Sequence, residues 1–183
     1  MPTTTGHAAD RSGRLLVVDD DPLQSESLQL VLQEHGFEVA CCGTPEAALE
    51  RLAGGHFDLL LTDLQMPGMD GIELTRRAQL QSPDMVVVLM TGHASVPSVV
   101  EAMRQGAVDL VQKPFAYRAL LAVIERALAV QRLRRHNRRL EAEVHQQLQQ
   151  LETVNAELDA FAARVAHDLR GPIMSIRGVL DAV

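Results

Sequence analysis

The chain has 183 residues, 46% of them hydrophobic, with 3% aromatic and no Trp, so it can bury a sizeable core that must be aliphatic. Its formal net charge of −7 argues against broad nucleic-acid binding by the whole chain. No apolar run approaches the ~20 residues a membrane span needs and no signal peptide is visible, which leaves a cytoplasmic protein without a membrane partner as the expectation.

Residues 1–12, rich in Thr, Gly and Ala, read as a disordered leader. From Arg14 onward, short aliphatic runs alternate with amphipathic helical patterns. The runs at 15–18, 39–41, 59–62, 86–90 and 108–111 read as strands, and 22–35, 44–53, 70–80 and 95–105 as helices. Continuous aliphatic runs suit a parallel sheet covered on both faces. Asp21 followed by Pro22 is an N-cap and first-turn signal for the first helix. Cys41 and Cys42 are adjacent, which argues against a structural disulfide between them, and they read as small buried or half-buried residues in a reduced setting. Together these elements predict an α/β fold, a doubly wound five-stranded parallel sheet of order 2-1-3-4-5.

A fifth helix starts after Pro114, and no Gly or Pro interrupts the chain between Phe115 and Arg170. Its heptad d positions hold Leu133, Leu140, Gln147, Val154 and Phe161, and its a positions Asn137, Val144, Leu151, Leu158 and Val165. This pattern predicts a parallel, dimeric coiled coil in which Asn137 helps to fix register. The alternative is one long helix packed on its own chain, but little other chain is available to cover the seam. The basic run Arg132, Arg134, Arg135, Arg138 and Arg139 could touch a phosphate backbone, though a solvated helix face is the simpler reading.

In this fold the strand C-termini converge on one edge, where ligands bind. Asp19, Asp20 and Asp21 follow the first strand, Asp63 the third, Thr91 the fourth and Lys113 the fifth. Clustered carboxylates repel by several kcal/mol, ~4 per pair at close range and an effective dielectric of ~20. A hard divalent cation such as Mg²⁺ relieves that repulsion, and an aspartyl phosphate fits the set. Asp at strand ends also commonly caps helices or makes turns. The segments Val17-Val18-Asp19-Asp20-Asp21, Leu61-Thr62-Asp63-Leu64-Gln65-Met66-Pro67-Gly68-Met69-Asp70-Gly71, Met90-Thr91-Gly92 and Lys113-Pro114-Phe115 resemble the receiver domain of two-component response regulators over about 13–127. The resemblance implies that Asp63 is the phosphoacceptor and that Thr91 and Lys113 read the phosphoryl group. It also implies that Asp19, Asp20, Asp63 and the Gln65 carbonyl bind Mg²⁺, Asp19 mainly through water. Three residues before the lysine the family usually carries Phe or Tyr, and here Leu110 stands there, which leaves the usual aromatic switch coupled to Thr91 open. Gln65 and His93 lie where the family tunes access of hydrolytic water.

Further on, His167 takes heptad position c with Asp168 beside it, an arrangement suited to attack on a phosphoryl group, although a lone helical His is ordinarily a surface residue. The run His167-Asp168-Leu169-Arg170-Gly171-Pro172-Ile173, preceded by Phe161 and Val165-Ala166, resembles the H-box of the histidine kinase dimerisation and phosphoacceptor domain. That resemblance implies autophosphorylation of His167, assistance by Asp168 and a helix kink at Pro172. Gly171 replaces the Thr or Asn that many relatives use to position phosphatase water.

The expected organisation is therefore a receiver at 13–127, a signalling helix at 128–157, and an incomplete phosphoacceptor helix at 158–183, read as the amino-terminal part of a hybrid histidine kinase. No nucleotide-binding motif appears, so ATP would act only in a missing downstream domain and this chain should have no kinase activity alone. About 52 residues separate Phe115 from His167, a span of ~78 Å along a straight helix, so the receiver is expected to regulate the histidine region rather than exchange phosphate with it directly. Expected partners are a second copy, an upstream phosphodonor kinase or phosphotransfer protein, and a downstream response regulator. A kinase-less phosphotransfer module and a dimeric scaffold carrying a receiver remain as alternatives.

Overall fold

The computed structural model describes residues 13–92 and 95–180, without the side chains of 166–180. The leader expected at 1–12 lies outside the described residues. In chain order the elements are β1 (Arg14–Val18), α1 (Pro22–Glu34), β2 (Glu38–Cys42), α2 (Pro45–Gly54), β3 (Leu59–Asp63), α3 (Gly71–Gln81), β4 (Val86–Thr91), α4 (Val96–Arg104), β5 (Ala107–Gln112) and α5 (Tyr117–Leu180). The strands pair in parallel in the order β2-β1-β3-β4-β5, as the alternation of aliphatic and amphipathic segments predicts.

Side chains alternate across a strand, so each inner strand must supply two apolar faces. Leu15, Val17, Leu59, Leu61, Val86 and Val88 point to one side, where Leu28 and Leu32 of α1 and Leu120, Ile124 and Leu128 of α5 cover them. Leu16, Val18, Leu60 and Val87 point to the other, against Ala48 and Leu52 of α2 and Leu74 and Ala78 of α3. Each of these Leu, Ile and Val side chains removed from water stabilises the fold by ~1.5–3 kcal/mol. The adjacent cysteines obey the same alternation: Cys41 packs on the first cluster, Cys42 belongs to the second, and both thiols are free. A smaller cluster of Leu64, Leu89, Ala102 and Ala107 lies under α4, with Leu110 packed against it.

Helix starts follow from local chemistry. The Asp21 side chain accepts from the N–H groups of Leu23 and Gln24, and Pro22 opens α1. Thr44, Asp70 and Ser95 cap α2, α3 and α4, each accepting a backbone N–H from the first turn.

Helix α5 changes character along its length. Leu120, Leu121, Ile124, Ala127, Leu128 and Gln131 form a buried stripe, whereas every residue from 132 to 165 is exposed. The chain divides into two units between Arg135 and His136. In the second unit the heptad residues Leu140, Val144, Leu151, Val154, Leu158, Phe161 and Val165 all face solvent. Among the described residues no helix is long and apolar enough to cross a membrane.

Candidate functional site

Because all five strands run parallel, their C-terminal ends lie on one edge of the sheet. Asp19 directly follows β1, Asp63 is the last residue of β3, Thr91 the last of β4, and Lys113 directly follows β5. Asp19, Asp20 and Asp63 each present an oxygen within 4.8 Å of the others, with Asp19 buried, Asp63 half-buried and Asp20 exposed. The Asp21 carboxylate instead accepts the N–H groups of Leu23 and Gln24 as the N-cap of α1.

Lys113 organises the cluster. Its Nζ donates to Asp63 Oδ2 at 2.5 Å, to Asp19 Oδ2 at 2.9 Å and to Gln24 Oε1 at 2.8 Å. Burial by itself would lower the pKa of this ammonium, but the hydrogen bonds to Asp63 and Asp19, with the charges of both, outweigh burial and raise it. The other carboxylate oxygens are also engaged: Asp19 Oδ1 accepts the N–H of Asp21 at 3.0 Å, and Asp63 Oδ1 accepts the N–H of Gln65 at 3.1 Å. Both carboxylates are thus held by a backbone N–H on one side and the shared ammonium on the other.

The scaffold around this set is tight. The Lys113 N–H donates to the Thr91 carbonyl at 2.7 Å, tying the ends of β4 and β5 together, and the Lys113–Pro114 peptide is cis. Thr91 is fully buried at the end of its strand. The Ser25 hydroxyl donates to the Asp19 carbonyl at 3.2 Å, anchoring the first turns of α1 to the end of β1. Gly71 donates its N–H to the Leu64 carbonyl at 3.0 Å, which closes the loop after Asp63.

The all-oxygen donor set, with one buried and one solvent-facing carboxylate beside Asp63, suits a small hard divalent cation such as Mg²⁺. The expected residues Asp19, Asp20, Asp63, Gln65, Thr91 and Lys113 therefore meet at one edge. His93 and the side chains of His167 and Asp168 lie outside the described residues, although the α5 backbone is helical through 167 and 168. Gln24 is the ligand of Lys113 that the sequence reading missed. Its one signal is its position in the first turn of a helix that starts at the same edge. Leu110, in place of an aromatic, is half-buried against the Leu64, Leu89, Ala102 and Ala107 cluster.

Comparison with known proteins extends this picture. Transcriptional regulatory protein FixJ of Bradyrhizobium diazoefficiens is 42% identical over 116 residues, covering 63% of this chain and 57% of that protein. The C4-dicarboxylate transport transcriptional regulatory protein DctD of Pseudomonas aeruginosa is 39% identical over 131 residues, covering 72% of this chain and 28% of that protein. The chain thus spans less than two thirds of the length of either relative. Among solved structures, a CheY-like response regulator receiver domain protein from Methanospirillum hungatei matches with a TM-score of 0.64 at 33% identity, over 66% of this chain and 97% of that one. The beryllofluoride-activated NtrC4 receiver domain dimer matches with a TM-score of 0.62 at 33% identity, over 64% of this chain and 98% of that one. The family model of the response regulator receiver domain matches residues 15–125, more than half of the chain, so the chain belongs to that family, the receiver module of two-component signal transduction.

Proposed function

We propose that Asp63 is the phosphoacceptor of this receiver and that its phosphorylation regulates, through α5, a histidine phosphoacceptor region at His167. The observation that carries the first half is the Lys113 ammonium held by hydrogen bonds between Asp63 and Asp19. In the transfer step a carboxylate oxygen of Asp63 forms the new O–P bond. The bond from phosphorus to the donor's leaving nitrogen or oxygen breaks, and its electron pair leaves with the donor. Lys113 is placed to compensate the charge that reaches the phosphoryl oxygens, and the Thr91 hydroxyl to donate to one of them. Asp19, Asp20, Asp63 and the Gln65 carbonyl would hold Mg²⁺, which supplies further positive charge against the phosphoryl group when bound.

Support for the second half comes from the sequence around His167 and Asp168, and from the exposed heptad residues of α5. A second copy is the occupant that a regular seam of Leu, Val and Phe favours, giving a parallel homodimer with Asn137 at the interface. The NtrC4 receiver, which matches this fold, is itself described as a dimer when activated. In this reading the phosphodonor is an upstream kinase or phosphotransfer protein, and the histidine region passes phosphate to a response regulator.

A second reading has a specific observation behind it. FixJ and DctD are both named transcriptional regulatory proteins, which favours an output that contacts nucleic acid despite the acidic net charge.

Acetyl phosphate with Mg²⁺, followed by site mapping and light scattering on the wild type and Asp63→Asn, tests the receiver half. Phosphate at Asp63 with a change in mass or shape supports a receiver that drives the helix. Absence of phosphate at Asp63 overturns the assignment. A phosphorylated donor then separates the outputs, since label on His167 supports the histidine region and label confined to Asp63 favours the transcriptional reading.

A further inference from the structure

The apolar stripe that seats α5 on the sheet ends in a polar residue. Gln131 is only 3% exposed, and its Nε2 donates to Asp58 Oδ1 at 3.3 Å. A buried amide costs free energy unless it is paired, and an aliphatic side chain would fill this position without that requirement. What a hydrogen bond adds is a point of attachment, whereas the Leu and Ala residues above it make a surface that can slide.

Asp58 is well suited to be a fixed point. Its N–H donates to the Arg14 carbonyl at 2.8 Å, its Oδ2 accepts the Arg14 N–H at 2.8 Å, and its carbonyl accepts the Val86 N–H at 3.1 Å. It is therefore tied to β1 and β4 while leading directly into β3. His56 Nε2 lies 3.3 Å from the same Oδ1 that Gln131 uses. These contacts lie at the strand N-termini, the edge opposite the acidic cluster.

The other end of α5 is held by the site itself. Lys113, four residues before α5 begins, bonds to Asp63 and Asp19. Helix α5 is consequently attached at both edges of the sheet, through Lys113 at one and Gln131 at the other, with an aliphatic contact between. Resting on the coupling reading above, we propose that the Gln131–Asp58 hydrogen bond is a fulcrum. A shift of Lys113 when Asp63 gains phosphate moves the start of α5, and the fixed point at Gln131 converts that movement into a tilt. From Tyr117 to Gln131 the arm is ~21 Å, so a displacement of ~1 Å at its start tilts this part of the helix by ~3°. Without the fixed point the same displacement is absorbed as sliding over the aliphatic stripe.

The test uses the full chain with and without acetyl phosphate and Mg²⁺, reading Asp63 occupancy by intact mass and amide hydrogen exchange over 136–150. Gln131→Leu keeps the buried volume and removes the polar attachment. Gln131→Glu sets a second carboxylate against Asp58, and adding Asp58→Asn restores a donor–acceptor pair. The fulcrum requires equal Asp63 phosphorylation in all variants, a phosphorylation-dependent change in exchange in the wild type, its loss in Gln131→Leu and Gln131→Glu, and its return in the double variant. Retention of the full change in Gln131→Leu and Gln131→Glu overturns the fulcrum and leaves the coupling reading standing. A phosphorylated wild type with unchanged exchange overturns the coupling reading and the fulcrum together.

Discussion

The Lys113 ammonium lies 2.5 Å from the Asp63 carboxylate, although 50 residues separate them in the chain. Removing the cation leaves two poorly solvated carboxylates, Asp19 and Asp63, facing each other. Loss of one partner of a buried pair costs 3–5 kcal/mol, and the slight exposure of Lys113 and Asp63 puts Lys113→Ala at the lower end, about 3 kcal/mol. Urea unfolding in EDTA should show that loss, and added Mg²⁺ should recover part of it. Phosphorylation of Asp63 by acetyl phosphate should fall by ~10²-fold in the same variant.

The pH dependence of stability carries the same signature. The Lys113 pKa is raised in the fold, so its contribution is fully present below about pH 10.4, the unfolded value, and is lost as pH rises through the higher folded value. At the acid end, hydrogen bonds from Arg76 and Arg77 pull the Glu73 carboxyl down to about 2. Its contribution is fully present above about pH 4.3, the unfolded value, and is lost as pH falls from there toward about 2. Glu73→Gln should flatten this acid limb and leave the alkaline limb in place, as followed by thermal unfolding at each pH. The Glu73 pair is solvent-exposed, so the acid effect should be small.

Burial raises the pKa of the Cys41 and Cys42 thiols, the charge of Cys42 raises that of Cys41 further, and Arg51 opposes the shift at both. Both thiols should therefore react with iodoacetamide at pH 8 several-fold more slowly than a free thiol, and denaturant should remove the difference. Mild oxidation should yield no intrachain disulfide in the folded protein, because the two side chains pack in clusters on opposite faces of the sheet.

Much of this architecture was legible in the sequence, for a physical reason. Aliphatic runs such as 59–62 are long enough to specify a doubly covered strand, and β3 forms at Leu59–Asp63. Strand ends in a parallel sheet share an edge, so Asp19, Asp63, Thr91 and Lys113 could be grouped without knowing any distance. Gln24 and the Asp58–Gln131 pair were not legible. Gln24 resembles any exposed helical glutamine until the Lys113 side chain is placed beside it. Gln131 meets a carboxylate 73 residues away, and no local pattern encodes that pairing. The seam of α5 was legible because a repeat of apolar residues every 3.5 positions is a local pattern.

Gly71 is required by proximity rather than by backbone torsion. A β-carbon there would run into the Asp63 carbonyl oxygen and press on Leu64 and Leu89. Gly71→Ala should displace the end of β3, destabilising by about 1–3 kcal/mol as overpacking does, and should slow Asp63 phosphorylation even though no charged group changes. Chemical denaturation and acetyl phosphate kinetics check the two effects.

For the α5 seam, Leu151→Lys together with Leu158→Lys places charge at positions that are 62% and 61% exposed in a single chain. If two copies pair through this seam as proposed, light scattering should show a shift from dimer to monomer. The unfolding midpoint of the receiver should stay unchanged, because neither residue belongs to its core.

The strand order also sets a timetable for synthesis. The acidic side chains emerge from the ribosome with β1 and β3, but their counter-cation waits for the segment after β5, the last strand made and an edge of the sheet. A nascent chain short of Lys113 therefore carries the carboxylates without the ammonium that holds them together. Domains fold as units while they are being made. The hydrogen bonds that join Asp19, Asp63 and Lys113 should thus form only late in synthesis, once β5 and the segment after it have been made.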